Sequence, residues 1–190
     1  MSYEVKNTEV VTRKPVRLSY AFLNNPRKNN DDNSDGKYEA TLLIPKSDKD
    51  TIKAIEAAIE AARAEGAANG IKGAKNFPSP LRDGNGSRPR GGDYGPECKG
   101  MMVLNSTSKN QPKVCDRNRN PIMDPDEIYS GMWANVLIKF KCFSVPGNSG
   151  ISCYLNLVQK VRDDQPLGGS APKADDVFEA IDDDDDGLGL

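Results

Sequence analysis

Residues 129–169 (YSGMWANVLIKFKCFSVPGNSGISCYLNLVQKVRDDQPLGG) place aromatic rings and cations at a spacing of two. The stretch reads as two β-strands joined by a turn at 146–150 (PGNSG), so alternate side chains share a face. Trp133, Lys139, Lys141 and Phe143 fall on one face of the first strand. Tyr154, Lys160 and Arg162 fall beside them on the second. Flat rings stack on unpaired bases and cations neutralise phosphates, which is the chemistry of a surface for single-stranded nucleic acid.

A second set lies in residues 66–100, where no apolar period survives. Lys72, Lys75, Arg82, Arg88, Arg90 and Lys99 face three acidic residues there, with Phe77 and Tyr94 interleaved. Thirty-odd residues without regular structure are long for a simple connection. The stretch is expected to be a basic clamp that orders on binding nucleic acid.

Catalytic chemistry has little to work with. The chain has no histidine, which removes the commonest general base and the usual triads. No glycine run has the spacing of a phosphate-cradling or dinucleotide loop. The four cysteines form no C-x-x-C pair, so neither a metal nor a cofactor is expected. Asp124, Asp126 and Glu127 form the one carboxylate group able to hold Mg²⁺ for phosphodiester cleavage, which makes a nuclease the alternative reading.

The elements that position these residues follow from period two. Met132, Ala134, Val136, Ile138, Phe140 and Cys142 form a core face, and Ile151, Cys153, Leu155, Leu157 and Val161 answer them. Core meets core when Ser144 pairs with Ile151, Lys141 with Tyr154 and Trp133 with Arg162; Cys142 then lies opposite Cys153. Upstream, Val16, Leu18, Tyr20 and Phe22 are expected inward with Arg17 and Ser19 outward. A polar loop at 24–36 leads to a strand with Tyr38, Ala40, Leu42 and Ile44 inward. A helix then starts at Ser47 or Asp48, carries the stripe Ile52, Ile55, Ile59 and Ala62, and is expected to stop at Gly66. Further short strands are expected at 101–107 and 112–116. The total is a mainly β chain, an OB-fold-like, partly closed antiparallel barrel with one helix, a long basic loop and a disordered acidic C-terminal tail.

Charge divides the chain. Residues 166–190 hold eight acidic residues against Lys173 alone, while the other 165 hold 20 acidic and 25 basic. The expected organisation is a DNA-binding domain at 1–165 and a tail at 166–190. Asp175, Asp176, Glu179 and Asp182, Asp183, Asp184, Asp185 and Asp186 supply the tail's charge; Val177, Phe178 and Ile181 offer apolar contacts to a partner. The tail is expected to compete with nucleic acid for the basic body when free. An adaptor acting through this tail is a further reading. No apolar run reaches membrane-spanning length and no signal-peptide core is present, so the protein is expected in the cytoplasm, away from membranes.

Five blocks carry a family resemblance: RLSYAFLNNP (17–26), KYEATLLIPKSDKDTIKAIEAAIEAA (37–62), FPSPLRDGNG (77–86), PKVCDRNRNPIMDPDEIYSGMW (112–133) and GISCYLNLVQKVRDDQPLGG (150–169). Together they resemble phage-encoded single-stranded DNA-binding proteins built on an OB-fold. The resemblance implies non-catalytic, largely sequence-independent ssDNA binding during phage replication or recombination in an infected bacterium. It also implies recruitment of replication or recombination proteins by the acidic tail.

Overall fold

The computed structural model describes residues 2–28, 36–168 and 177–179. Within them the elements are β1 (Glu9–Val11), β2 (Val16–Arg27), β3 (Lys37–Pro45), α1 (Lys49–Ala68), β4 (Arg82–Asp83), β5 (Met101–Ser108), β6 (Lys113–Cys115), β7 (Trp133–Val145) and β8 (Asn148–Arg162). Five strands close a ring in the order β2-β3-β5-β8-β7 and back to β2. Two joints of the ring are short. β7 meets β2 only at Val16↔Ala134 and Arg17↔Trp133, and β5 meets β8 in parallel at Thr107↔Tyr154. The result is the partly closed barrel expected from the strand pattern. β1 extends β7, β6 extends β8, and β4 lies on β5.

One core cluster fills the barrel. It joins Val16 and Leu18 of β2, Leu42 and Ile44 of β3, Leu104 of β5, Ile138 and Phe140 of β7, and Leu155 of β8. α1 buries Ile55, Ala58, Ile59 and Ala62 into the same cluster. Each isoleucine so buried contributes about 1.5–3 kcal/mol. Asp48 caps the helix by accepting a hydrogen bond from the Thr51 N–H at 3.3 Å. Gly66 does not end the helix, which runs on to Ala68. It lets α1 approach β7, because a Cβ there would lie 2.7 Å from the Cys142 Cβ. The Cys142 thiol closes this contact by donating to the Ala62 carbonyl at 3.3 Å.

Of four register shifts in the sheet, three one-residue bulges decide which side chains face out; the fourth lies between Phe22 and Arg27 of β2. In the β7–β8 hairpin, Trp133 pairs with Arg162 as expected, but Ala134 pairs with Lys160, which leaves Val161 extra. Leu137 pairs with Leu157 and Ile138 with Leu155, so Asn156 is extra too. Beyond these two bulges the register differs from expectation by two. Ser144 faces Ser149, Lys141 faces Ser152, and Tyr154 faces Lys139. Cys142 faces Ile151 and Cys153 faces Phe140; all four cysteines are free thiols, and burial pushes the Cys142 and Cys153 thiols up. Each inserted residue flips the parity of the strand. Val158 therefore enters the core, Leu157 turns out to water at 47% exposure, and Lys160 turns inward.

The third bulge is in β2. Ser19 pairs with Thr41 but Phe22 pairs with Glu39, and Tyr20 takes a left-handed backbone with φ 47°. Tyr20 and Phe22, expected inside, are consequently 51% and 36% exposed, while Ser19, ahead of the bulge, lies on the outer face beside Thr41 as expected and is covered there. Leu23 takes the core place instead. Among the described residues no helix is long and apolar enough to cross a membrane.

Candidate nucleic-acid interface

The pairings place five outward side chains in one row across the sheet. Phe22 of β2 lies opposite Glu39 of β3, Glu39 opposite Thr107 of β5, Thr107 opposite Tyr154 of β8, and Tyr154 opposite Lys139 of β7. At one strand spacing per step, the two rings stand about 14 Å apart with polar side chains between them. The next row inward is also polar, with the Thr41 hydroxyl hydrogen-bonded to Asn105 at 3.0 Å. A polar floor set between an exposed ring, Phe22, and a half-buried one, Tyr154, leaves room for bases to lie on the sheet.

The segment between α1 and β5 forms the wall of this floor, and it has more regular structure than its sequence suggested. Ala74–Asn76 and Pro96–Cys98 are single 3₁₀ turns, β4 pairs with β5, and Ser87 bridges Asp93. Arg63 of α1 donates to the Phe77 carbonyl at 2.9 Å and Lys46 pairs with Asp83 at 2.7 Å. Gly84 is required by the close approach of the segment to itself, since a Cβ there would lie 2.0 Å from the Cys98 carbonyl oxygen. Cys98 is buried against Leu43 and Val103, with Tyr94, Met101 and Leu167 packed around them.

Between wall and floor is a cleft of about 710 Å³. Tyr20, Arg27 and Thr41 line it from the sheet; Arg88, Arg90 and Tyr94 line it from the wall. A smaller cleft continues past Tyr94 and Thr107 to Arg82 and Ser152. Two cations already lie over rings: Arg27 is 5.6 Å from the Phe22 centroid and Arg88 is 5.6 Å from that of Tyr94. Arg27 also pairs with Glu39 at 2.9 Å, which fixes its guanidinium above the row.

The structure thus brings together Arg82, Arg88, Arg90, Tyr94, Tyr154 and Lys139 of the expected set. Lys141 is exposed farther along the hairpin, and the Phe143 ring lies over Gly150. Lys72, Lys75 and Phe77 sit at the C-terminal end of α1 and line neither cleft. Tyr20, Phe22 and Arg27 join the interface although the sequence had placed the two rings in the core and Arg27 in a loop. In SYAF, small residues alternate with aromatic ones, so either parity satisfies a core. The SYAF pattern alone does not reveal the bulge.

Trp133 and Lys160 belong elsewhere. Trp133 is only 9% exposed, donates from Nε1 to Asp164 at 2.8 Å, and is covered by Arg162 at 4.3 Å from its rings. The Asp164 carboxylate is held below the usual range, first by the Trp133 N–H and next by the Gln165 N–H, with Arg17 and Arg162 adding their charge. Arg17 donates to the Gly131 and Gln165 carbonyls at 3.1 and 2.7 Å. Lys160 is buried between Glu127 and Asp163 at 2.7 and 2.8 Å and lies over the Tyr129 ring. Burial opposes its charge, but the hydrogen bonds to these carboxylates outweigh that and hold its pKa above the ordinary lysine value. The group is a latch fastening the end of β8 to the start of β7. It offers no open ring face at Trp133 and no free ammonium at Lys160.

Two of the three carboxylates of the nuclease alternative are also engaged. Asp124 accepts from the Asp126 N–H at 2.9 Å, and Glu127 holds Lys160. Among the described residues no three His, Cys, Asp or Glu side chains converge as metal ligands. Of the tail residues singled out, Val177, Phe178 and Glu179 are described, all exposed; Asp175, Asp176, Ile181, Asp182, Asp183, Asp184, Asp185 and Asp186 lie outside the described residues.

Comparisons with known proteins show the family and the fold. Residues 8–188 match the family described as "Enterobacter phage Enc34, ssDNA-binding protein". A "Putative protein p50" of Acyrthosiphon pisum secondary endosymbiont phage 1 is 30% identical over 87% of this chain and 90% of its own length. The single-stranded DNA-binding protein of bacteriophage Enc34, solved in complex with ssDNA, is similar in fold with a TM-score of 0.71 and 28% identity, over 88% of this chain and 97% of that one. A C-terminal truncation of the same phage protein gives a TM-score of 0.69 at 27% identity, over 87% of this chain and 96% of that one. A barrel with an exposed aromatic and cationic face, matched over nearly its whole length, places this chain in the Enc34 family of phage ssDNA-binding proteins.

Proposed function

We propose that the protein binds single-stranded DNA across the outer face of the barrel, under the 82–94 wall, without strong sequence preference. Tyr20, Phe22, Tyr94 and Tyr154 stack on bases. Arg27, Arg82, Arg88, Arg90, Lys139 and Lys141 neutralise phosphates. The binding is non-catalytic and serves phage DNA replication or recombination in the cytoplasm of the infected host, with the acidic tail recruiting partner proteins. One observation carries the reading: the cleft in which Tyr20 and Tyr94 face each other's strand and wall among three arginines. A stacking platform needs exposed rings beside cations, and this is where the described residues supply them.

The test is fluorescence anisotropy with single-stranded DNA, duplex DNA and single-stranded RNA of one length, in the presence of Mg²⁺. Single-stranded DNA is expected to bind more tightly than the duplex and to remain uncut. Tyr20→Ala and Tyr94→Ala are each expected to weaken binding by about 1–3 kcal/mol, and Tyr20→Ala, at an exposed ring, to leave the melting temperature nearly unchanged. Equal affinity for duplex, or variants that bind like the parent, would overturn the assignment.

A further inference from the structure

The outer face of the barrel does not stop at the row that holds Tyr154. Where β5 ends at Ser108, β6 takes its place along the same edge of β8: Thr107 pairs with Tyr154, then Lys113 with Leu157 and Cys115 with Gln159. On the other edge of β8, Leu157 lies opposite Leu137 and Gln159 opposite Asn135. The Asn156 bulge keeps Leu157 on the face that Tyr154 occupies, since Leu155 and Val158 both enter the core. Three residues of strand, about 10 Å, separate Tyr154 from Leu157.

This continuation is cationic. Residues 109–119 hold Lys109, Lys113, Arg117 and Arg119 against Asp116 alone, and all four cations are exposed. None of the four is in an ion pair among the described residues. The Asp116 carboxylate is occupied by the turn itself, accepting from the Asn118 and Asn120 N–H groups at 2.8 and 2.9 Å. Gln159 ties that turn to the sheet by donating to the Arg117 carbonyl at 3.2 Å. Arg119 holds a left-handed backbone with φ 72°, which costs an arginine more than it would an asparagine or a glycine. The fold itself therefore does not ask for a guanidinium there. Lys113 and Arg119 line a groove of about 1020 Å³ together with Met123 and Leu157. No ring lines it, so it offers charge and an apolar floor but no platform for a base.

Unpaired cations on a face continuous with the aromatic row suit the onward course of a polyanion. We propose that single-stranded DNA leaving the Tyr154 and Lys139 row runs along β8 to a second subsite, where Lys113, Arg117 and Arg119 hold its phosphates and Leu157 lies beneath it. This course rests on the outer face being the DNA site, and it adds a part that grips the backbone alone. Short strands fill the stacking part only. Longer strands reach the second subsite and gain its charge.

Anisotropy on the full chain with oligothymidylates of about 4 to about 16 nucleotides tests it. The parent is compared with Lys113→Ala/Arg117→Ala/Arg119→Asn and with Lys53→Ala/Lys72→Ala/Lys75→Ala, a control that removes the same charge from α1 and the turn after it. All these positions are exposed, and asparagine tolerates the left-handed backbone at position 119. On the shortest strands that bind, the three proteins are expected to agree. On the longest, the first variant is expected to bind about tenfold more weakly than the parent, with its dependence of log K on log salt flatter by about 2, at roughly 0.7 per phosphate. The control is expected to keep the parent's affinity and slope. A first variant that follows the parent at every length, a loss of one size on short and long strands, or an equal loss in the control would overturn the second subsite. Tyr94→Ala, read on the shortest strands, tests the stacking part by itself, so either part can fail while the other stands.

Discussion

Replacing Trp133 with alanine separates the frame of this protein from its working face. Read from spacing alone, the lone tryptophan is a base platform, and its loss should weaken binding. In the structure its indole is 9% exposed, lies under Arg162 at 4.3 Å, and fixes the chain after β8 through Asp164. Truncating a buried Trp costs about 3–5 kcal/mol, and the low end applies here because one side is covered by a flexible arginine. With an m-value of about 2 kcal/mol/M for a domain of this size, the urea midpoint should fall by about 1.5 M. Binding measured well below the midpoint should change by less than about twofold, a few tenths of a kcal/mol. Circular dichroism gives the first number and anisotropy with labelled ssDNA the second. Intrinsic fluorescence adds a check, since an enclosed indole should not be quenched by bound bases. An unchanged midpoint together with a tenfold loss of affinity would refute the reasoning and restore Trp133 to the interface.

Two further outcomes follow from charge. Arg88→Ala/Arg90→Ala should flatten the dependence of log K on log salt by about 1.4, at roughly 0.7 per lost phosphate contact, whereas Lys72→Ala/Lys75→Ala should leave the slope alone; titrations at several salt concentrations decide, and the reverse pattern would move the DNA path to the end of α1. Asp164 has a folded pKa below the ordinary value of about 3.9, so its contribution to stability is complete above about pH 4 and is lost as pH falls through the lowered folded value. Denaturant unfolding of the parent and of Asp164→Asn should therefore converge below pH 4, and a gap constant down to pH 2 would show that this carboxylate does not titrate as the latch requires.

Much of the architecture was legible because period two is strict wherever no bulge intervenes. The core face of β7, from Met132 to Cys142, the core residues of β3 and the Asp48 cap all stand where alternation and capping chemistry put them. The site was less legible. A bulge inserts one residue and exchanges the faces, and it leaves little trace where both parities offer plausible core residues. Leu155, Leu157 and Val158 are apolar at either parity, so the Asn156 bulge was invisible, and with it the burial of Lys160 and the exposure of Leu157. Tyr20 and Phe22 look like core because rings usually are; only the left-handed backbone at Tyr20 turns them out. Gly66 reads as a helix stop from its type alone, but its role depends on Cys142, 76 positions away in the chain. The basic stretch reads as irregular because its order comes from hydrogen bonds and small buried residues such as Ala74 and Cys98, which carry no periodic signal.

Photocrosslinking to ssDNA bearing 5-iododeoxyuridine tests the central claim most directly, because the bond forms only where a base lies against a side chain. The crosslinked peptides are predicted to contain Tyr20 or Phe22, Tyr94 and Tyr154, the rings around the cleft and along the cross-sheet row. Crosslinks confined to Trp133, or to the groove of Met123 and Leu157, with none at those rings would contradict it.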